Sequence, residues 1–137
     1  MSINYKVIPR VNPQNREAAP KYYASINIKG KRDLRYIARE IADRSSLNAM
    51  DILSTIEGFL QIIPKTLTDG YKVDLGDFGT LNLLAKSEGV ENEKEFHASH
   101  IENVKVSFRP GKLFQKELGS ADFTKIASKE EIAEPVE

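Results

Sequence analysis

Apolar residues recur along this chain in two rhythms, and the switches between them mark out its elements. Alternation with period two runs through Tyr5 and Val7 and again through Tyr22, Ala24, Ile26 and Ile28, predicting strands over Ile3–Ile8 and Tyr22–Ile28. Breaker-rich sequence from Pro9 to Arg16, with Pro20, separates them as a long loop. After Gly30 the period changes. Leu34, Ile37, Ala38, Ile41 and Ala42 fall on one face of a helix, with Asp33 placed to cap it. A second helix opens at Asn48, where Asn48 and Asp51 resemble a capping pair, and carries Ile52, Ile56, Phe59, Leu60, Ile63 and Leu67. Pro64 inside it deletes the hydrogen bond to the Leu60 carbonyl, which predicts a kink, and Gly70 supplies the stop.

Alternation then returns. Tyr71, Val73 and Leu75 lead into a turn at Gly76-Asp77-Phe78-Gly79, and Leu81 and Leu83 begin the returning strand, which predicts a hairpin. A polar, charge-rich excursion follows from Lys86 to Ser99 before Val104, Val106 and Phe108 resume the pattern. Pro110 is placed at the first position of a short third helix through Leu113, Phe114 and Leu118. The order is ββ-αα-βββ-α, an α+β fold. Phe59, Leu60, Ile62 and Ile63 crowd nearly the full circumference of the second helix. A helix apolar on more than one side needs cover from elsewhere, and a second subunit would provide it.

Composition refines this picture in two places. The 137 residues suit one domain with extensions, and the absence of cysteine excludes disulfides, thiolate metal sites and a thiol nucleophile. The 20 basic and 20 acidic residues cancel, which is unlike the basicity of most nucleic-acid binders. The cancellation hides an asymmetry. Residues 1–39 hold nine Lys or Arg against Glu17 and Asp33, a net of +7 balanced by −7 in the remainder. Part of that acidity sits in a terminal stretch where Glu130, Glu131, Glu134 and Glu137 outnumber Lys129, expected to be a disordered tail. The first residues lack the apolar core of a signal peptide and no run is long enough to span a bilayer, so a soluble cytoplasmic protein is expected.

Two amphipathic helices, a hairpin turning at Gly76-Asp77-Phe78-Gly79, a long arm-like excursion and a closing Phe108-Arg109-Pro110-Gly111-Lys112 together resemble the HU/IHF family of histone-like, DNA-bending proteins. The resemblance covers residues 33 to 118, and the whole looks like the HU-related proteins with an N-terminal extension familiar from Bacteroidetes. It implies an HU-like DNA-binding domain at 31–120, with the β extension at 1–30 and the acidic tail at 121–137 lying outside that core. It also implies an intertwined homodimer that associates with the nucleoid and embraces double-stranded DNA along the minor groove with its two β-arms.

The local chemistry at the last motif points the same way. A helix N-terminus leaves backbone N–H groups unpaired, Gly111 would let a phosphate approach, and Arg109 and Lys112 add full charges. Lys105 and Ser107 alternate with core residues of the same strand and so face away from the core, and Lys86 joins them as a further DNA-contact candidate at the base of the arm. The arm departs from the family. The resemblance implies a basic arm with an Arg-Asn-Pro tip, whereas here there is no proline, and Lys86 and Lys94 meet Glu88, Glu91, Glu93 and Glu95. Val90 and Phe96 are its candidate apolar wedges or anchors.

His97 and His100 lack the cysteine and carboxylate partners of a metal site, and the acidic residues lack a pocket for acid–base chemistry, so neither a metal nor another cofactor is expected. No Walker-type or dinucleotide glycine motif occurs, and no small-molecule substrate or enzymatic activity is expected. Two readings follow: an architectural DNA-binding protein with weak sequence preference, or a dimeric protein-interaction module of the same fold that has lost DNA binding.

Overall fold

The computed structural model describes residues 1–127. In chain order the elements are β1 (Ser2–Arg10), β2 (Lys21–Ile26), α1 (Leu34–Ala42), α2 (Ala49–Thr68), β3 (Val73–Asp74), β4 (Gly79–Ser87), β5 (Ile101–Pro110), α3 (Lys112–Gly119) and β6 (Asp122–Lys125). They divide into two compact units. One is Arg32–Glu117, and the other combines Met1–Lys31 with the described residues from Leu118 onward.

In the unit formed by the chain ends, β1 and β2 pair antiparallel, with Tyr5 opposite Ile26 and Arg10 opposite Lys21. The loop between them is tied by two Asx turns, Gln14 N–H to Asn12 Oδ1 at 3.0 Å and Glu17 N–H to Asn15 Oδ1 at 3.2 Å. The disordered tail expected from residue 121 begins instead as a strand. β6 pairs parallel with β1, placing Ile3 beside Phe123 and Tyr5 beside Lys125, and the Ser2 and Thr124 hydroxyls hydrogen-bond across the pair. Its Phe123 and Thr124 continue the alternation of a strand, a signal four residues long and easily missed beside the acidic sequence that follows. The sheet order is β2-β1-β6. The glutamates of the expected tail lie outside the described residues.

In the other unit, Asp33 caps α1 by accepting the Tyr36 N–H at 2.9 Å. Asn48 caps α2 by accepting the Asp51 N–H at 3.0 Å, and its amide returns to the Asp51 carboxylate at 2.5 Å. The second helix runs through Pro64 as one element. It ends in a Schellman arrangement, with Tyr71 N–H to Thr66 O at 3.2 Å, Gly70 N–H to Leu67 O at 3.0 Å and Gly70 at φ +90°.

β3, β4 and β5 form an antiparallel sheet in that order. The long ladder between β4 and β5 runs from Gly79 opposite Pro110 to Ser87 opposite Ile101, with a register shift at Lys86/Ser87. Beyond it the excursion closes in two 3-10 turns, Glu93–Glu95 and Ala98–His100. Buried apolar side chains are few: Ala38, Ile52 and Leu67 among the described residues.

Candidate nucleic-acid interface

Period-two alternation gives the β3-β4-β5 sheet two unlike faces. Leu81, Leu83 and Ala85 stand opposite Phe108, Val106 and Val104, which makes one face apolar. On the other, Thr80 pairs with Arg109, Asn82 with Ser107, Leu84 with Lys105 and Lys86 with Asn103. Four of the residues singled out from sequence, Lys86, Lys105, Ser107 and Arg109, therefore share one face. Lys72, Thr80, Asn82, Leu84, Ser107 and Arg109 line a groove of about 310 Å³ there. Cations at Lys72, Lys86, Lys105 and Arg109 are interleaved with the hydrogen-bonding groups of Thr80, Asn82 and Ser107 and outnumber the carboxylate of Asp74, which pairs with Thr80, a mixture suited to phosphate oxygens. Lys72, Thr80 and Asn82 were not among the sequence candidates, although alternation within the strand already sets Thr80 and Asn82 on the side away from Leu81 and Leu83.

Lys86 is already engaged. Its Nζ lies 2.7 Å from Glu102 Oε2, in a pair with 67% and 40% of the two side chains exposed. A pair that open to water contributes at most about 1 kcal/mol and can be exchanged for a phosphate at little cost.

The corner after β5 differs from the expected clamp. Pro110 does not open the helix; it is the last residue of β5, paired with Gly79, and α3 begins at Lys112. Gly111 donates its N–H to Phe78 O at 3.0 Å, so that donor is taken. A Cβ on Gly111 would collide with the Asp77 carbonyl, and one on Gly79, at φ +147°, would lie 2.5 Å from Arg109 O and 2.6 Å from the Phe108 ring. The two glycine motifs are thus two halves of one junction. Phe78, Phe108 and Phe114 close it with ring centroids 5.0–5.7 Å apart in tilted and edge-on arrangements. Gly111 serves this junction, and Arg109 and Lys112 flank it, both exposed.

At the arm end, the His97 N–H donates to His100 Nδ1 at 3.0 Å, the two rings stack at 6.0 Å, and Phe96 packs on His100 at 5.4 Å. The two histidines thus brace a turn. No group of three or more His, Asp or Glu that could hold a metal ion occurs among the described residues. No helix among them is long and apolar enough to cross a membrane.

A family model described as an HU domain fused to wHTH, Ig or glycine-rich motif matches residues 1–125. No curated protein matches the chain. Among solved structures, the fold is similar to that of a protein from Bacteroides vulgatus ATCC 8482 described as a candidate bacterial DNA-binding protein, with TM-score 0.61 and 14% identity. The match covers 90% of this chain and 48% of that one, so this chain spans about half the length of that structure.

Proposed function

Because the chain belongs to the family of HU domains fused to a wHTH, Ig or glycine-rich motif, we propose that it is a non-catalytic architectural protein that binds double-stranded DNA as a homodimer. The carrying observation is the gathering of Lys72, Lys86, Lys105 and Arg109 with Thr80, Asn82 and Ser107 on one sheet face, beside an opposite face that is apolar. Arg109, Lys105, Ser107 and Lys112 are its phosphate contacts, Lys86 joins them on leaving Glu102, and Gly111 shapes the corner that presents Arg109 and Lys112. Phosphate contacts position a protein without reading bases, so sequence preference is weak. The nucleoid of the cytoplasm is its place of action.

Dimerisation is supported by the exposure of apolar residues on both helices and on β5. The test is titration of unrelated duplexes at several salt concentrations. Affinity should fall linearly with salt on a logarithmic plot, with similar slopes for all sequences. Absence of duplex binding at low salt would favour the protein-interaction reading, which the neutral total charge and the acidic arm support.

A further inference from the structure

We propose that the β2-β1-β6 sheet carries a second DNA-phosphate site, in the groove that Arg10, Lys21 and Tyr23 form with the β1–β2 loop; this rests on the DNA-binding reading above. The groove is about 490 Å³, and Asn12, Pro13 and Ala18 of the loop contribute to its wall. Two Asx turns fix that loop, and alanine at positions 18 and 19 keeps the wall open. The site therefore needs little ordering when a ligand enters.

The register supplies the main observation. Arg10 stands directly opposite Lys21 in the ladder, and Lys6 lies further along on the same face. Like charges directly opposite one another destabilise a strand pair. None of these three side chains makes an ion pair among the described residues, where the pairs are Arg44 with Glu40 and Lys86 with Glu102. The arrangement asks for an anion between the strands. Arg10 also lies over the Tyr23 ring, 5.6 Å from its centroid, which restrains the guanidinium beside the groove.

The surrounding charge supports the same ligand. Residues 1–31 hold six basic side chains against a single carboxylate, Glu17, and Asp122, the acidic residue of β6, pairs with Ser2 at the far end of β1 from Arg10. The opposite face of the sheet carries Ile3, Tyr5, Val7, Ala24, Ile26 and Phe123, with Lys125 beside Tyr5 as its charged residue. Lys6, Arg10 and Lys21 thus gather on the face of the groove, where adjacent cations match the closely spaced phosphates of a duplex.

The test uses the full chain, a fluorescent duplex and a salt series. Arg10→Gln combined with Lys21→Gln should weaken binding about tenfold at about 0.1 M salt and flatten the plot of log affinity against log salt by about 0.9 for each phosphate no longer neutralised. Lys21→Gln alone should flatten it too, while melting at or above the parent temperature without DNA, because it relieves the repulsion with Arg10. A merely structural lysine would lower the melting temperature and leave the slope alone. If both variants keep the parental affinity and slope while Arg109→Ala flattens it, the second site is overturned and the sheet-face reading stands. If the unaltered chain binds no duplex, both fall.

Discussion

Gly111 occupies a position that a larger residue could not take without displacing its neighbours. Its N–H is spent on Phe78 O, and the space of its missing side chain is filled by the Asp77 carbonyl, which as backbone cannot move aside cheaply. Gly111→Ala should therefore destabilise the fold by about 1–3 kcal/mol, lowering the melting temperature by roughly 10 °C at the upper end. Arg109 is the converse case. Its backbone is held in the ladder opposite Thr80, but its side chain is exposed. Arg109→Ala should melt within a few degrees of the parent and weaken binding to unrelated duplexes by similar factors, as read by anisotropy titration. Unchanged affinity and salt slope would make the corner only a strand-to-helix connection.

At the scale of elements, the two long helices are legible in the chain because cap, apolar stripe and stop coincide: Asp33 before Leu34, and Asn48 through to Gly70. Asn48→Ala removes both the acceptor for the Asp51 N–H and the amide donor to its carboxylate, and should cost about 1 kcal/mol in denaturant unfolding. Three features were hidden for physical reasons. β6 is short, and its parallel partner lies at the other end of the chain, a pairing that local pattern cannot reveal. Pro110 suits the last position of a strand as well as the first of a helix, and the choice is made by pairing with Gly79. The shared polar face needed the β4–β5 register, since alternation assigns faces within one strand but not across two. The arm offers a direct test of the charge argument. Glu102→Gln should free Lys86, tighten duplex binding and steepen its salt dependence; an unchanged slope would place Lys86 away from DNA.

At the scale of the whole molecule, the question is what covers the apolar surface left by folding a single chain. Ala38, Ile52 and Leu67 on the two helices are buried, yet Phe59, Leu60 and Ile62 on α2 remain 47%, 43% and 63% exposed, and Ile37 and Ile41 on α1 are 44% and 40% exposed. Val104, Val106 and Phe108 on the apolar face of β5 are also exposed. Full burial of one such side chain is worth about 1.5–3 kcal/mol, so covering the exposed half of each contributes roughly 1 kcal/mol. Over eight residues in each of two subunits this exceeds the roughly 4–15 kcal/mol that association costs in lost freedom, if only modestly at the upper end. Sedimentation at micromolar concentration should accordingly give twice the 15.4 kDa chain mass, and the melting temperature should fall on dilution because unfolding is coupled to dissociation. Phe59→Glu places a charge on the exposed stripe of α2 and should shift the protein toward dissociated, less stable chains, whereas Glu57→Gln, which removes a charge from the same helix, should leave the dimer intact. A parent protein that sediments as a monomer and melts at the same temperature across a hundredfold dilution would show that its exposed apolar face is covered in some other way.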